Sequence, residues 1–277
     1  MLFCLVLPYN RPKLGASATW NVNATTFANS STVGQQPYGI FVTSTDNVYA
    51  VARNLRNIAV WNNGSSIPTV NISDVDNNTL SIFVPYDYYA IVGSASCSGV
   101  FLDINSVPYC SVQQNHRVLR SVVTGNSTSW TIIAGTGTSG AAANMLSGPQ
   151  GIFIDINADL YVADCGNNRI QLFHFQQSNG TTVVGSGALT LDCPSNVILD
   201  AEGYLYVTDT NNNRIIQSRY NESQCIVGCT NNAGTATYEL NHPQTIGFDS
   251  SGNLFVMDKD NSRIQKFFLA TNSSCKY

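Results

Sequence analysis

The sequence predicts an all-β propeller, and three observations carry that prediction. First, one segment pattern is legible three times: GPQGIFIDINADLYVADCGNNRIQLF from Gly148, CPSNVILDAEGYLYVTDTNNNRIIQS from Cys193 and HPQTIGFDSSGNLFVMDKDNSRIQKF from His242. Self-similarity at a period of about 40 to 50 residues marks a repeat architecture whose units bury their faces only against one another. Second, the apolar period within a copy is two. Ile152 and Ile154, then Leu160 and Val162, alternate with their neighbours across a short turn, as in a β-hairpin. Third, the copy from Gly148 continues into a third apolar run at Ile170, Leu172 and Phe173 and a fourth from Thr181 to Val184. Four short antiparallel strands per repeat make a propeller blade.

Residues 1–18 stand apart from the propeller, which is expected to occupy 19–277 as one domain. MLFCLVLPYN is like the apolar part of a signal segment without its basic start, and Ala16-Ser17-Ala18 is like a cleavage site, although Arg11 and Lys13 lie between them. A residual signal segment and an ordinary terminus both fit. Thr25-Thr26-Phe27-Ala28 has the pattern of a fourth strand, whereas the last repeat ends near Phe268 without one. An N-terminal strand completing that blade removes an open sheet edge and closes the ring.

The repeats are expected over 37–61, 99–120, 149–173, 194–218 and 243–268. Between the first two, Leu80-Ser81-Ile82-Phe83-Val84 is like a first strand and Ala90-Ile91-Val92-Gly93 like a fourth, with room for nothing between. Residues 79–93 therefore read as a blade reduced to two strands. The plan is six-bladed, with five recognisable blades and one reduced.

Charge and composition narrow the function. Only 11% of residues are charged and the net charge is −4, which disfavours nucleic acid, whose binding rests on Lys and Arg neutralising phosphates. There is no run of 18 apolar residues to span a membrane. Eight cysteines, an even count, and nine Asn-x-Ser/Thr sequons at Asn23, Asn29, Asn63, Asn71, Asn77, Asn126, Asn179, Asn221 and Asn272 point to an extracellular, secreted glycoprotein. All nine sequons are expected in surface connections outside the repeat cores.

With the loop from Asp164 through Asn167 and Asn168 to Arg169-Ile170 in view, and its counterparts after Asp209 and Asp258, the chain resembles the NHL-repeat propellers. The resemblance covers about 37–268 and is strong over 148–268. It implies a six-bladed propeller carrying this loop between second and third strands. Propellers of this family serve as RNA binders, as substrate-recognition modules of TRIM-type ubiquitin ligases, as extracellular proteins and as an amidating lyase. Fold alone does not choose among these roles.

The residues that invite chemistry each have a simpler structural role. Asp164 with Arg169, Asp209 with Arg214 and Asp258 with Arg263 are like acid/base pairs, but a pair repeated in every blade is what a structural ion pair pinning a loop would be. The second repeat has Val112 in place of the acid beside Arg117, and the first has Ala52 and Asn57, so both are expected to be looser. Gly135-Thr136-Gly137-Thr138-Ser139-Gly140 fits a dinucleotide fingerprint, with Asp155 downstream, yet Gly148-Pro149 leaves no room for the helix that would hold pyrophosphate. No cofactor is expected. His116, His174 and His242 fall at non-equivalent blade positions and are not expected to meet around a metal, so the comparison with the lyase fails residue by residue. No Gly-x-Ser-x-Gly elbow supplies a nucleophile. No metal or catalytic residue is assigned.

What remains is binding. The loops that precede first strands and those that join second to third strands are expected to share one face, lined by Arg53, Arg56, His116, Asn167, Asn168, Asn211, Asn212, Asn213 and Asp260. The expected partner is a protein or glycan, and the expected state a monomer. Cys165 and Cys193, on that face in consecutive repeats, are expected to form a disulfide, and Cys225 with Cys229 a small local loop. The alternatives are a recognition module of a TRIM-type ubiquitin ligase and a metal-dependent propeller lyase or hydrolase.

Overall fold

The computed structural model describes residues 10–63, 65–73, 97–124, 127–185, 189–219 and 222–271. Within them the chain builds five four-stranded antiparallel sheets and a two-stranded ribbon. The first blade holds Gly39–Val42, Val48–Ala52, Asn57–Trp61 and Val70–Ser73. The second holds Gly99–Leu102, Pro108–Val112, Arg117–Thr124 and Ser127–Ala134. The third runs through Pro149–Ile154, Leu160–Asp164, Arg169–Phe173 and Thr181–Val184, and the fourth through Pro194–Leu199, Leu205–Asp209, Arg214–Arg219 and Glu222–Val227. The fifth comprises Pro243–Phe248, Leu254–Asp258 and Arg263–Phe267, with Thr25–Ala28 paired antiparallel to its third strand.

The six-bladed plan is thereby corrected to five four-stranded blades among the described residues, and the reduced blade expected over 79–93 lies outside them. Small residues let these first strands crowd one axis. A Cβ at Gly99 would stand 2.5 Å from the carbonyl oxygen of Gln150, and one at Gly151 2.6 Å from that of Ser195. Glycine is needed there because the neighbouring backbone already occupies the space.

Each blade is covered on both faces, so its second strand loses the simple alternation of a half-buried sheet. Every residue of Val48–Ala52, Leu205–Asp209 and Leu254–Asp258 is buried. The turn joining first and second strands is built by one acceptor. Asp155 Oδ1 accepts the N–H groups of Asn157 and Asp159, and Asp103, Asp200 and Asp249 repeat the arrangement. Thr43 takes that place in the first blade, its Oγ1 accepting from Asn47 N at 3.0 Å.

Residues 10–20 belong to the packed molecule. Leu14 and Ala18 are buried in an apolar cluster with Tyr206, Phe248 and Phe267. Arg11 donates twice to the Asp200 carbonyl, and Trp20 Nε1 donates to the Gly252 carbonyl. Thr19–Trp20 pairs with Leu269–Thr271. The stretch that resembles a signal cleavage site is thus held against the fourth and fifth blades.

Of the sequon asparagines, Asn23, Asn29, Asn63 and Asn179 are exposed. Asn71 departs from the expectation of a connecting segment, because it lies within the fourth strand of the first blade, opposite Ala59. Asn77, Asn126, Asn221 and Asn272 lie outside the described residues.

Candidate functional site

The loop between second and third strands has one construction in four blades. A 3₁₀ turn, at Arg53–Leu55, Gln113–Asn115, Cys165–Asn167 and Thr210–Asn212, is followed by a residue at positive φ: Arg56, His116, Asn168 and Asn213. Ser262 holds the same place in the fifth blade with φ 54°. Asparagine tolerates this left-handed conformation better than most residues, which explains its abundance here.

The side chain at that position reaches the next blade. Asn168 Oδ1 accepts from Cys193 N and Asn213 Oδ1 from His242 N, both at 2.9 Å. His116 Nδ1 accepts from Gly148 N at 3.0 Å, and Ser262 Oγ from Gln36 N at 3.3 Å. The donors are the residues that open the following blade, themselves at positive φ. This blade-to-blade latch is invisible to a motif search, since three residue types perform it. Its signal in the sequence is position alone.

The three expected Asp/Arg pairs come together. Arg169 Nε lies 2.9 Å from Asp164 Oδ2, Arg214 Nε 2.8 Å from Asp209 Oδ2, and Arg263 Nε 2.6 Å from Asp258 Oδ2. Each carboxylate is fully buried and also accepts an amide from Asn167, Asn212 or Asn261. Its second oxygen accepts a backbone N–H, from Ser147, Asp192 or Asn241, of the segment entering the blade. Arg169 then donates to the carbonyls of Ala141, Ala142 and Met145, and Arg263 to those of Thr235, Ala236 and Glu239. With its oxygens enclosed by donors, such a carboxylate holds a loop and leaves no lone pair directed at solvent. Burial pushes the Asp258 carboxyl up even so, against the pull of Asn261, Asn241 N–H and Arg263.

The two degenerate blades lack this construction. Arg117 Nε is buried without a hydrogen-bond partner beside Val112, and so is Asn57 Oδ1 beside Ala52.

The histidines are held apart by separate partners. His116 serves the latch, His174 Nδ1 lies 2.8 Å from Asp159 Oδ2, and His242 Nδ1 lies 2.9 Å from Asp260 Oδ2. Among the described residues no group of three or more His, Cys, Asp or Glu side chains converges as metal ligands would.

Several residues of the expected binding face are therefore engaged within the fold. Asn167 donates to Asp164 and the Gly140 carbonyl, Asn212 to Asp209, and Asn211 to Asp192. Asn168, Asn213 and His116 are latches. Arg56 is exposed on the same loops and the His242–Asp260 pair is partly exposed, while the Arg53 side chain lies outside the described residues.

Disulfides join Cys165 to Cys193, Cys225 to Cys229 and Cys97 to Cys110. The first adds a covalent bond to the junction that Asn168 latches. The last was not read from the sequence; Cys97 lies just before the first strand of the second blade and Cys110 in the middle of its second strand, and both are buried.

The first strands surround an axial cavity of about 110 Å3 lined by Asn10, Ile40, Phe101, Asn196, Gln244 and Ile246, among others. Asn10 Nδ2 donates to the carbonyls of Thr43 and Phe248 and to Asp46 Oδ1, which places it at the end where first strands finish.

Residues 240–267 match the family model of the NHL repeat. The chain is a β-propeller carrying an NHL repeat. The solved propellers it is similar to are distant in sequence. Virginiamycin B lyase from Staphylococcus aureus is 12% identical, with 89% of this propeller and 99% of that chain covered at a TM-score of 0.61. A Bacteroides thetaiotaomicron protein of unknown function is 15% identical, covering 90% and 76% at a TM-score of 0.69. The PQQ-bound aldose sugar dehydrogenase of Streptomyces coelicolor is 12% identical, covering 93% and 100% at a TM-score of 0.61. At such identities the likeness is one of fold. No curated protein matches the chain.

Proposed function

We propose that this NHL propeller is a secreted, monomeric binding scaffold without catalytic activity, which takes a protein or glycan on the face bearing its second-to-third-strand loops. The observation that carries this reading is the use made of the polar residues most suited to chemistry. The buried carboxylates are occupied by arginine, asparagine and backbone donors, and the histidines sit in separate blades with separate partners. Three disulfides and four exposed sequon asparagines support an oxidising, glycan-permissive compartment. In the same reading the strand Thr25–Ala28 closes the ring, and the unit expected over 19–277 also takes in residues 10–18, which pack against the fourth and fifth blades.

A face with little net charge should bind with weak salt dependence, unlike an RNA-binding propeller. The test begins with the full-length protein expressed in a secreting cell, where export and glycan occupancy at Asn23 or Asn179 are expected. A pull-down from extracellular material then runs beside assays for lyase, dehydrogenase and esterase turnover. Retention in the cytosol without glycan would favour the ligase-module reading. The enzyme reading rests on the fold shared with virginiamycin B lyase and the PQQ-bound dehydrogenase. Turnover abolished by replacing His242 would establish it.

A further inference from the structure

A groove of about 310 Å3 opens between the second and third blades. It lies at the strand ends remote from the second-to-third-strand loops, since its residues include Tyr109 and Leu160, at the starts of second strands, and Phe173, where a third strand finishes. Its size is at the lower end of the range for small-molecule sites, roughly 300 to 1,000 Å3. The walls are largely apolar, and two of their residues, Ile132 and Phe175, are 49% and 53% exposed. Large apolar side chains left in water beside a groove offer a surface for the body of a ligand.

One cation on this groove is left without a counter-charge. Three blades place a long polar side chain on the third strand opposite an aromatic residue of the second: Arg120 opposite Tyr109, Gln217 opposite Tyr206 and Lys266 opposite Phe255. In two of them the blade itself saturates the group. Gln217 Nε2 donates to the Tyr206 hydroxyl, and its Oε1 accepts from Gln224. Lys266 Nζ lies 3.0 Å from Asp249 Oδ2 and over the rings of Phe255 and Phe268. Arg120 differs. Its Nε donates to the Tyr109 hydroxyl at 3.1 Å, and that hydroxyl donates in turn to Asp103 Oδ2. The tyrosine thus stands between the guanidinium and the carboxylate whose counterpart, Asp249, Lys266 meets directly. Arg120 Nη1 and Nη2 make no hydrogen bond or ion pair with a described residue. The other basic side chain on the groove, His174, already has Asp159 Oδ2 at 2.8 Å.

We propose that this groove binds a small carboxylate with a flat aromatic body. The carboxylate meets Arg120 Nη1 and Nη2 as a planar pair, a geometry that a guanidinium fork fits better than a point charge does, and the body lies along Ile132, Ile133 and Phe175. Because Nε is held by Tyr109, the fork is oriented before the ligand arrives, and little freedom is lost on binding. The site lies at the other end of the blades from the loop face and stands whether or not that face binds a protein or glycan.

Naphthoate, naphthamide and acetate are the probes, titrated into the intact protein at constant pH and ionic strength while the methyl resonances of Ile132 and Ile133 are followed by NMR. Naphthoate is expected to shift them saturably, naphthamide to bind about tenfold more weakly for want of the charge, and acetate more weakly still for want of the body. Arg120→Gln installs the residue that the fourth blade carries at this register opposite a tyrosine, and should make naphthoate and naphthamide equal. The wild-type comparison needs no variant and stands even if Arg120→Gln fails to fold. Absence of saturable shifts with naphthoate, naphthamide or acetate binding as tightly as naphthoate, or a naphthoate preference that survives Arg120→Gln would each overturn the proposal.

Discussion

At the scale of single residues, the arginines that look alike in sequence differ in what their loss would expose. Arg214 neutralises the fully buried Asp209, whereas Arg117 faces Val112 and keeps a buried Nε without a partner. Arg214→Ala is expected to cost about 3 kcal/mol, because it strands a buried carboxylate. Arg117→Ala is expected to cost less than about 1 kcal/mol. Urea midpoints that shift equally would contradict this. Asp200 gives a pH signature of its own. Burial pushes its carboxyl up to about 6, against the N–H groups of Tyr204 and Glu202, the Tyr206 hydroxyl and the charge of Arg11. A folded pKa above the unfolded one means that the folded state binds the proton more tightly, so the contribution of Asp200 to stability is fully present below about pH 4 and is lost as pH rises through about 6. Asp200→Asn should therefore gain on the order of 2 kcal/mol relative to wild type between pH 4 and pH 7.5. Urea midpoints at the two pH values measure the difference, and parallel profiles would refute it.

Among elements, the junction of third and fourth blades carries both a latch and a disulfide, while the second–third, fourth–fifth and fifth–first junctions carry the latch alone. The bridge closes a sequence separation of 28. Its removal in Cys165→Ser/Cys193→Ser is expected to cost about 3 kcal/mol and to leave the latch from Asn168 in place. Thermal unfolding of the double variant at the wild-type temperature would refute the contribution. This is also the scale at which the sequence was most and least legible. Strands such as Leu160–Asp164 and Leu205–Asp209 announce themselves, since both faces are buried and the apolar residues run together. Val70–Ser73 does not, because an outer strand is bound mainly through backbone hydrogen bonds that any residues can make. The Asp/Arg partners were legible from their fixed spacing. The latch was not, because it uses asparagine, histidine and serine interchangeably.

For the molecule as a whole, the N-terminal segment links blades that are remote in sequence. Leu14 is fully buried between the fourth and fifth blades, while Asn10 joins the first to the fifth. Leu14→Ala is expected to destabilise the whole propeller by about 2 to 4 kcal/mol in one cooperative transition. If that segment merely decorated the surface, the variant would unfold as wild type does in calorimetry.

The pairing of Thr25–Ala28 with Arg263–Phe267 also sets an order of events during synthesis. Thr26 and Gln265, which touch side chain to side chain in the finished sheet, are 239 positions apart. The first four blades can zip up from neighbouring hairpins as they leave the ribosome. The fifth has to remain three-stranded until a strand made 239 positions earlier swings round to meet it. Closing so long a loop delays the last contacts far more than the first. The strand Thr25–Ala28 thus waits unpaired while the blades after it are made, and a chaperone that recognises unpaired strands would have its longest opportunity there.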